Sequence, residues 1–326
     1  MTTAVTGATG HVGASLVRAL LGQGRRVRVL VRNDERAVEG LKVEKIKGDV
    51  LDPVSLLELF KGADTVFHLA AKISLTGSEG GVVEKTNIQG TKNVIEACLR
   101  RKVKRLVHFS SIHAFSSPPD GGIIDERNPL ATGAHEFPYD RSKALSQMAV
   151  INAVTRGLDA VIINPTAVIG PLDFKPSFVG EMLIDIYRAR FGAVIDGGYD
   201  WVDSRDVVAC ALAAEKKGRT GECYLASGHR RSFREVSRTI GLLTGRKTPS
   251  LVIPVWPCIV PAYCSLYISK LRGANPKFTP FALKTIRTHT RVSHEKSSRE
   301  LGYNPRPFEE TIRDILSWFR DRGLLE

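Results

Sequence analysis

The sequence predicts an α/β chain in which a doubly wound parallel sheet carries a smaller, mixed and mainly helical C-terminal region. Three observations lead there. Short Val- and Ile-rich runs alternate with longer stretches of helical period through the first half, the pattern of parallel strands joined by crossover helices. A glycine cluster, TGATGHVG, directly follows the first apolar run, at a strand-to-helix turn. After Asn164 the alternation breaks up into NPTAVIGP, DFKPS and mixed segments, so the second half reads as a region built on the carboxyl edge of the sheet.

Taken in order, strands are expected at residues 3–6, 27–31, 43–46, 65–68, 105–109 and 160–163, with 223–226 returning to the same sheet. Helices are expected between them, among them 12–21, whose Val12, Leu16, Val17 and Leu20 share one face, and 90–99.

The 326 residues are 43% apolar and 25% charged, an ordinary globular balance that supplies a large core. Five cysteines, Cys98, Cys210, Cys223, Cys258 and Cys264, make an odd number without C-x-x-C spacing, so reduced, mostly buried thiols are expected and no metal site. The N-terminus enters a strand and glycine loop at once, leaving no room for an export signal and suggesting a cytoplasmic protein. The net charge of +13 is concentrated between His229 and Arg299, where fourteen Lys or Arg face only Glu235 and Glu295. No zinc-finger, RNA-binding or basic heptad pattern accompanies it, so nucleic acid is not an expected partner.

Gly7, Gly10 and Gly13, with Val12 in the same turn, would let a pyrophosphate approach backbone N–H groups at a helix N-terminus. About twenty residues on, the second strand ends VLVRNDER, with Arg32 at the position that favours the 2′-phosphate of NADP over the ribose hydroxyl of NAD. Asp34 and Glu35 stand nearby as competitors, and Arg36 follows one turn later.

These motifs, with FHLAAKI, NIQGTKN, GDVLDP, NPTAVIGP and FPYDRSKA, resemble those of the extended short-chain dehydrogenase/reductases, the NAD-dependent epimerase/dehydratase group, and particularly its dihydroflavonol 4-reductase-like branch. The resemblance spans Thr3 to about Gly228, with a looser echo in SSRELGYNPRPFEETIRD. It implies a Rossmann NAD(P)-binding domain at 1–165, with a returning strand near 222–227, and a substrate-binding region at 166–326. It also implies that Asp49 and Val50 flank the adenine, that Ala71, Lys72 and Ile73 line the cofactor, and that Pro165 and Val168 sit beside the nicotinamide.

The catalytic serine of the resembling enzymes follows the fifth strand. Of the adjacent Ser110 and Ser111, the strand end favours Ser111. Tyr139 lies 28 residues further on and Lys143 four beyond it, on one helix face. A hydride added to a ketone leaves an alkoxide that needs a proton and stabilisation. A lysine ammonium and a cofactor cation are expected to lower the phenol's pKa, with Lys143, by resemblance, also holding the nicotinamide ribose and Ser111 orienting the substrate oxygen. His108 and His113 bracket the serine strand without a metal-ligand pattern and read as ordinary packed or loop histidines. Asp203 and Asp206 read as structural.

Relatives acting on nucleotide sugars usually carry an arginine just before an Asp-aromatic pair. GGYDWVD places Tyr199 there, which disfavours such substrates. Residues 248–269 contain 22 residues without a charge, but Pro249, Pro254, Pro257 and Pro261 interrupt them, arguing against a spanning helix. The favoured expectation is an apolar wall of the substrate region. Its alternative is peripheral attachment to a membrane surface. The reading is an NADP(H)-preferring oxidoreductase, with NAD(H) as the other cofactor, acting on a ketone or secondary alcohol of a moderately apolar small molecule, with a homodimer left open. A sugar epimerase or dehydratase and a non-catalytic nucleotide sensor are the alternatives.

Overall fold

Strand β1 (Thr2–Thr6) sends Val5 into one apolar cluster and Ala4 into a second, the consequence of alternating side chains in a pleated strand. Strand β2 (Arg26–Val31) repeats the division, with Val27, Val29 and Val31 on the first face and Leu30 on the second. A computed structural model describes residues 1–118, 121–272, 276 and 278–325, with side chains left aside at 270–272. Lys277 and the side chains of Lys270 and Arg272, part of the basic stretch, lie outside the described residues.

Between the strands run α1 (His11–Gly22), β3 (Glu44–Lys47), α2 (Pro53–Leu59) and β4 (Thr65–His68). The short α3 (Val82–Glu84) passes through a π turn at Lys85–Gln89 into α4 (Gly90–Arg101), followed by β5 (Arg105–Phe109), α5 (Pro138–Val154) and β6 (Ala160–Pro165). Next come β7 (Ala167–Ile169), α6 (Phe178–Tyr187), β8 (Ala193–Ile195), β9 (Gly198–Asp203), α7 (Ser204–Lys217) and β10 (Cys223–Ala226). The chain closes with β11 (His229–Ser232), α8 (Phe233–Thr244), β12 (Leu251–Ile253), α9 (Ile259–Arg272), α10 (Pro280–Thr285), α11 (Glu295–Leu301) and α12 (Phe308–Asp321).

The main sheet has seven strands in the order β3-β2-β1-β4-β5-β6-β10, and every pairing is parallel. Its order reverses between β1 and β4, the switch point at which open α/β sheets bind ligands. Helices α1 and α7 cover one face, while α2, α4 and α5 cover the other. Beyond the carboxyl edge lie a three-stranded sheet, β11-β9-β7, and a β12-β8 pair. A separate core there gathers Trp201 with Leu183, Ile240, Ile312 and Phe319.

One charged side chain sits where the pattern showed only an apolar strand. Arg28 is buried in β2, and its guanidinium donates to the carbonyls of Glu58, Leu59 and Lys61 at 2.7, 2.8 and 2.8 Å. It also pairs with Glu44 at 2.7 Å. A cation is well placed over the carbonyl end of α2. At the other end of that helix, Asp52 accepts from the backbone N–H groups of Val54 and Ser55, with Pro53 in the first turn.

The structural roles of Asp203 and Asp206 are visible at α7. Asp203 caps the helix by accepting from Arg205 N–H at 2.8 Å, and Asp206 holds the Arg306 guanidinium at 2.9 Å. The thiols depart from the expectation of general burial, since only Cys98 and Cys210 are buried and Cys264 is exposed. Residues 248–269 depart further. Val252, Val255, Cys258 and Ala262 pack against the C-terminal core, but Leu251, Trp256, Val260, Tyr263 and Tyr267 face outward, so the segment forms an inward wall only in part.

Candidate nucleotide and catalytic site

Every sequence-predicted site residue outside the first two turns of α5 lies at or just beyond the carboxyl end of a strand, or at the start of α1. The glycine loop follows β1. Gly7 has φ +74°, and a Cβ there would stand 2.6 Å from Ala70 N, so only glycine lets the β1 and β4 ends meet. A Cβ on Gly13 would stand 2.1 Å from Gly7 O, so the first turn of α1, with Val12 half-buried beside it, is seated directly on the loop. Gly10 is different. It is the N-cap of α1 with ordinary φ −79° and no side-chain cap, and a Cβ there would meet only Gly7 O, at 3.4 Å. Packing within the chain does not call for glycine at this position, whereas close approach of a pyrophosphate does. The cradle therefore fits a dinucleotide.

Below the loop, Thr6 Oγ1 lies 2.7 Å from His68 Nδ1, and His68 Nε2 lies 3.1 Å from Thr91 Oγ1. Burial pulls the His68 pKa down to about 3, so this bridge between β1, β4 and α4 is neutral.

Arg32 follows β2 and is largely exposed, and among the described residues its polar contact is with Asp49 at 3.4 Å. The acids that could have competed for a ribose are engaged elsewhere: Asp34 holds Arg36 at 2.6 Å and Glu35 holds Lys45 at 2.7 Å. The Arg36 pair keeps the Asp34 carboxyl down at about 2. Asp49 is fixed by accepting from Leu51 N–H at 2.9 Å, and the carbonyl of the buried Val50 accepts from Asn93 at 3.0 Å. After β4, Ala71 and Ile73 are exposed, and the Lys72 ammonium turns to Glu79 at 3.1 Å. Pro165 ends β6 and Val168 lies in β7, both half-buried.

Ser111, Tyr139 and Lys143 converge at the ends of β5 and α5, all buried. Pro138 opens α5, so Tyr139 and Lys143 stack one turn apart on the face turned to β5. Lys143 Nζ donates to Phe109 O at 2.9 Å, two residues before Ser111. Burial lowers its pKa to about 8. The Tyr139 phenol is pushed up to about 12 by burial, with its hydrogen bond to Ser111 pulling it down and the Asp140 charge adding to the rise. For the protein alone this is opposite to the lowering expected from Lys143 and a cofactor cation together. Removing the phenolate from water outweighs the neighbouring groups, and the lysine spends its hydrogen bond on a backbone carbonyl.

Several residues of the site escaped the sequence reading. Asn87 accepts from Lys72 N–H at 2.7 Å and donates to Lys72 O at 3.0 Å and to Ser142 Oγ at 2.8 Å, which ties the β4 loop to the Tyr139 helix. Asn164 donates to Ser111 O at 2.9 Å and to Gln147 Oε1 at 2.7 Å, which sets the backbone of the serine. NIQGTKN and NPTAVIGP were the available signals for both asparagines. His113, read as ordinary, has its ring 5.7 Å from that of Tyr139 and 4.9 Å from that of His289, with Nδ1 3.0 Å from Asp140. His108 is buried against His68 at a ring distance of 5.2 Å. Beyond the carboxyl edge of the sheet, Phe281 of α10 stacks on Phe137 with centroids 3.4 Å apart. Tyr199 is edge-on to Trp201 and Phe233, at 5.4 and 5.5 Å.

The family model of the NAD dependent epimerase/dehydratase family matches residues 3–226. The chain belongs to that family. Its relatives within the epimerase/dehydratase family include "Sterol demethylase protein B" of Methylococcus capsulatus, 36% identical over 100% of both chains. A "Putative dihydroflavonol 4-reductase" of Synechocystis sp. is 29% identical over 99% of this chain and 95% of that protein. Among solved structures, that of gox2253 superposes with a TM-score of 0.87 at 30% identity, covering 100% of this chain and 99% of the other. The fold is that of an extended short-chain dehydrogenase/reductase, and the chain is an enzyme of that class with a nicotinamide-dinucleotide fold.

Proposed function

We propose that this protein is an NADP(H)-preferring oxidoreductase that interconverts a ketone and a secondary alcohol on a moderately apolar small molecule. The observation that carries the reading is the convergence of Ser111, Tyr139 and Lys143 at the sheet edge that also bears the glycine cradle. Gly7, Gly10, Gly13 and the turn at Val12 would hold the pyrophosphate, Asp49 and Val50 would flank the adenine, and Ala71, Lys72, Ile73, Pro165 and Val168 would border the nicotinamide half. The bound dinucleotide supplies or accepts the hydride. Ser111 orients the substrate oxygen through its hydroxyl. Tyr139 hands its phenolic proton to the oxygen as negative charge develops there. With its pKa at about 12, the phenol is protonated throughout the neutral range, the state a proton donor requires. Lys143, at about 8, is a group that can carry or release a proton behind it.

NADP is favoured because Arg32 is held only by a 3.4 Å contact while Asp34 and Glu35 have cations of their own. An apolar substrate is favoured by Tyr199 inside an aromatic cluster and by the Phe137–Phe281 stack near Tyr139. The names of the two relatives, a sterol demethylase protein and a dihydroflavonol reductase, point the same way. The test presents purified protein with NADPH and a panel of polycyclic and long-chain ketones, lactones and nucleotide sugars. Tyr139→Phe should bind NADPH within a few-fold of wild type while turnover falls by about two orders of magnitude or more. Undiminished turnover in that variant removes the mechanism, and turnover of nucleotide sugars alone removes the substrate class.

A further inference from the structure

A surface helix ordinarily turns its large apolar side chains inward and its small polar ones to water. Helix α9 and the turn before it do the reverse. Ala262 is fully buried and Ser265 half-buried, while Trp256 is 74%, Val260 70%, Tyr263 60% and Tyr267 66% exposed. The spacing of these four residues places them along one stripe. A contiguous exposed apolar stripe on a soluble fold marks a surface that meets something other than water.

The charge around the stripe selects what it meets. No acidic residue occurs between Glu235 and Glu295. Arg246 and Lys247 lie before β12, and α10, which packs against α9, carries Lys284 with Arg287 just beyond; all four are exposed. Two copies of this chain joined through the stripe would bring like charges together, which opposes association. A layer of anionic headgroups would receive the same cations. Tryptophan and tyrosine, apolar in body with a polar tip, are the side chains that settle at a membrane–water interface. Among the described residues no helix is long and apolar enough to cross a membrane, so the contact is with one face of a bilayer.

We propose that the turn at Trp256 and helix α9 form a seat for an anionic membrane surface, with Trp256, Val260, Tyr263 and Tyr267 entering the interface and Arg246, Lys247, Lys284 and Arg287 facing the headgroups. The seat shares no residue with the cofactor cradle, and its test does not depend on the proposed reaction.

The full-length protein is floated with vesicles of phosphatidylcholine alone or of phosphatidylcholine mixed equally with phosphatidylglycerol. Binding is expected only to the anionic vesicles. It should fall at least about tenfold between roughly 0.1 M and 1 M salt, where the Debye length shrinks from about 10 to about 3 Å. A combined Trp256→Ser, Val260→Ser, Tyr263→Ser and Tyr267→Ser variant, and separately an Arg246→Gln, Lys247→Gln, Lys284→Gln and Arg287→Gln variant, should each lose about tenfold or more while NADPH binding is retained. Should the serine variant fail to fold, lipid-borne bromine quenching in wild type and Trp256→Phe gives a second measurement, with the quenched fraction expected to vanish in the variant. Absence of flotation with anionic vesicles, flotation unchanged by either variant, or a dimer in solution that the serine variant dissociates in place of vesicle binding overturns the proposal.

Discussion

Replacing Gly10 and Gly13 by alanine, one at a time, separates a glycine required by the ligand from a glycine required by the fold. At Gly10 the backbone is ordinary and the new methyl would meet only Gly7 O, at 3.4 Å, a normal van der Waals contact. Alanine there removes freedom from the unfolded chain, worth about 0.4–1 kcal/mol, which offsets the preference of an N-cap for glycine over alanine, so the melting temperature should change little. The same methyl stands over the N-terminus of α1, where a phosphate oxygen needs to come within about 3 Å of backbone N–H groups. Losing one or two such charge-assisted bonds, at roughly 1.5–3 kcal/mol each, weakens binding by about tenfold to a thousandfold or more. At Gly13 the methyl would lie 2.1 Å from Gly7 O and 2.8 Å from Ala8 Cα. Both are backbone atoms that cannot swing aside, so overpacking of about 1–3 kcal/mol or more is expected, a fall of several degrees in Tm. Thermal melts of the apo proteins and NADPH titration by fluorescence read the two quantities separately. A Gly10→Ala protein that melts lower yet binds NADPH normally would refute the division.

Arg32→Asp should raise the Kd for NADPH about tenfold or more while changing that for NADH little, since a 2′-phosphate loses a cation and meets an anion; equal losses for both cofactors in parallel titrations would count against the NADP assignment. Lys143→Met tests the burial of the ammonium. Its pKa drops from 10.5 to about 8 in the fold, so between those values the unfolded chain binds more protons than the folded one and stability rises with pH. The advantage of the methionine variant over wild type in urea melts should therefore be largest below pH 8 and shrink by about 3 kcal/mol by pH 10.5. The raised phenol of Tyr139 lowers stability above pH 10 in both proteins and cancels in the difference. A difference independent of pH would show that Lys143 is solvated.

The parts of this molecule that were legible in its sequence are those with fixed local spacing. The glycine loop, the Tyr139–Lys143 pair one helical turn apart and the seven strands of the main sheet depend on neighbours in the chain, and all stand where the pattern put them. Asn87, Asn164 and Gln147 act across separations of 15, 53 and 17 residues, which no local period encodes. Arg28 was hidden for a related reason, because the carbonyls it meets belong to a helix about thirty residues further along. For α9 the composition was plain but its rotation about its own axis was not. An uncharged stretch gives the same signal whether its large side chains point to a core or to the surface, and the packing of Ala262 shows which way α9 is turned.

The return of the later chain to the first sheet limits how this protein could be divided or assembled. Val207, Val208 and Ala211 of α7, Tyr224 of β10, and Leu301 and Tyr303 at α11 share one apolar cluster with Val5, Leu16 and Val29. Arg25, just after α1, is clasped by Glu215 of α7 through two bonds of 2.7 and 2.8 Å. A fragment cut after residue 165 would bare that face of the sheet and leave β6 as an unprotected edge. On the ribosome, the nucleotide half cannot complete its packing until residue 303 has emerged. Swapping the region beyond the sheet edge for another would accordingly proceed by replacing the stretches that lie between these returns, and not by exchanging the C-terminal half at a single joint.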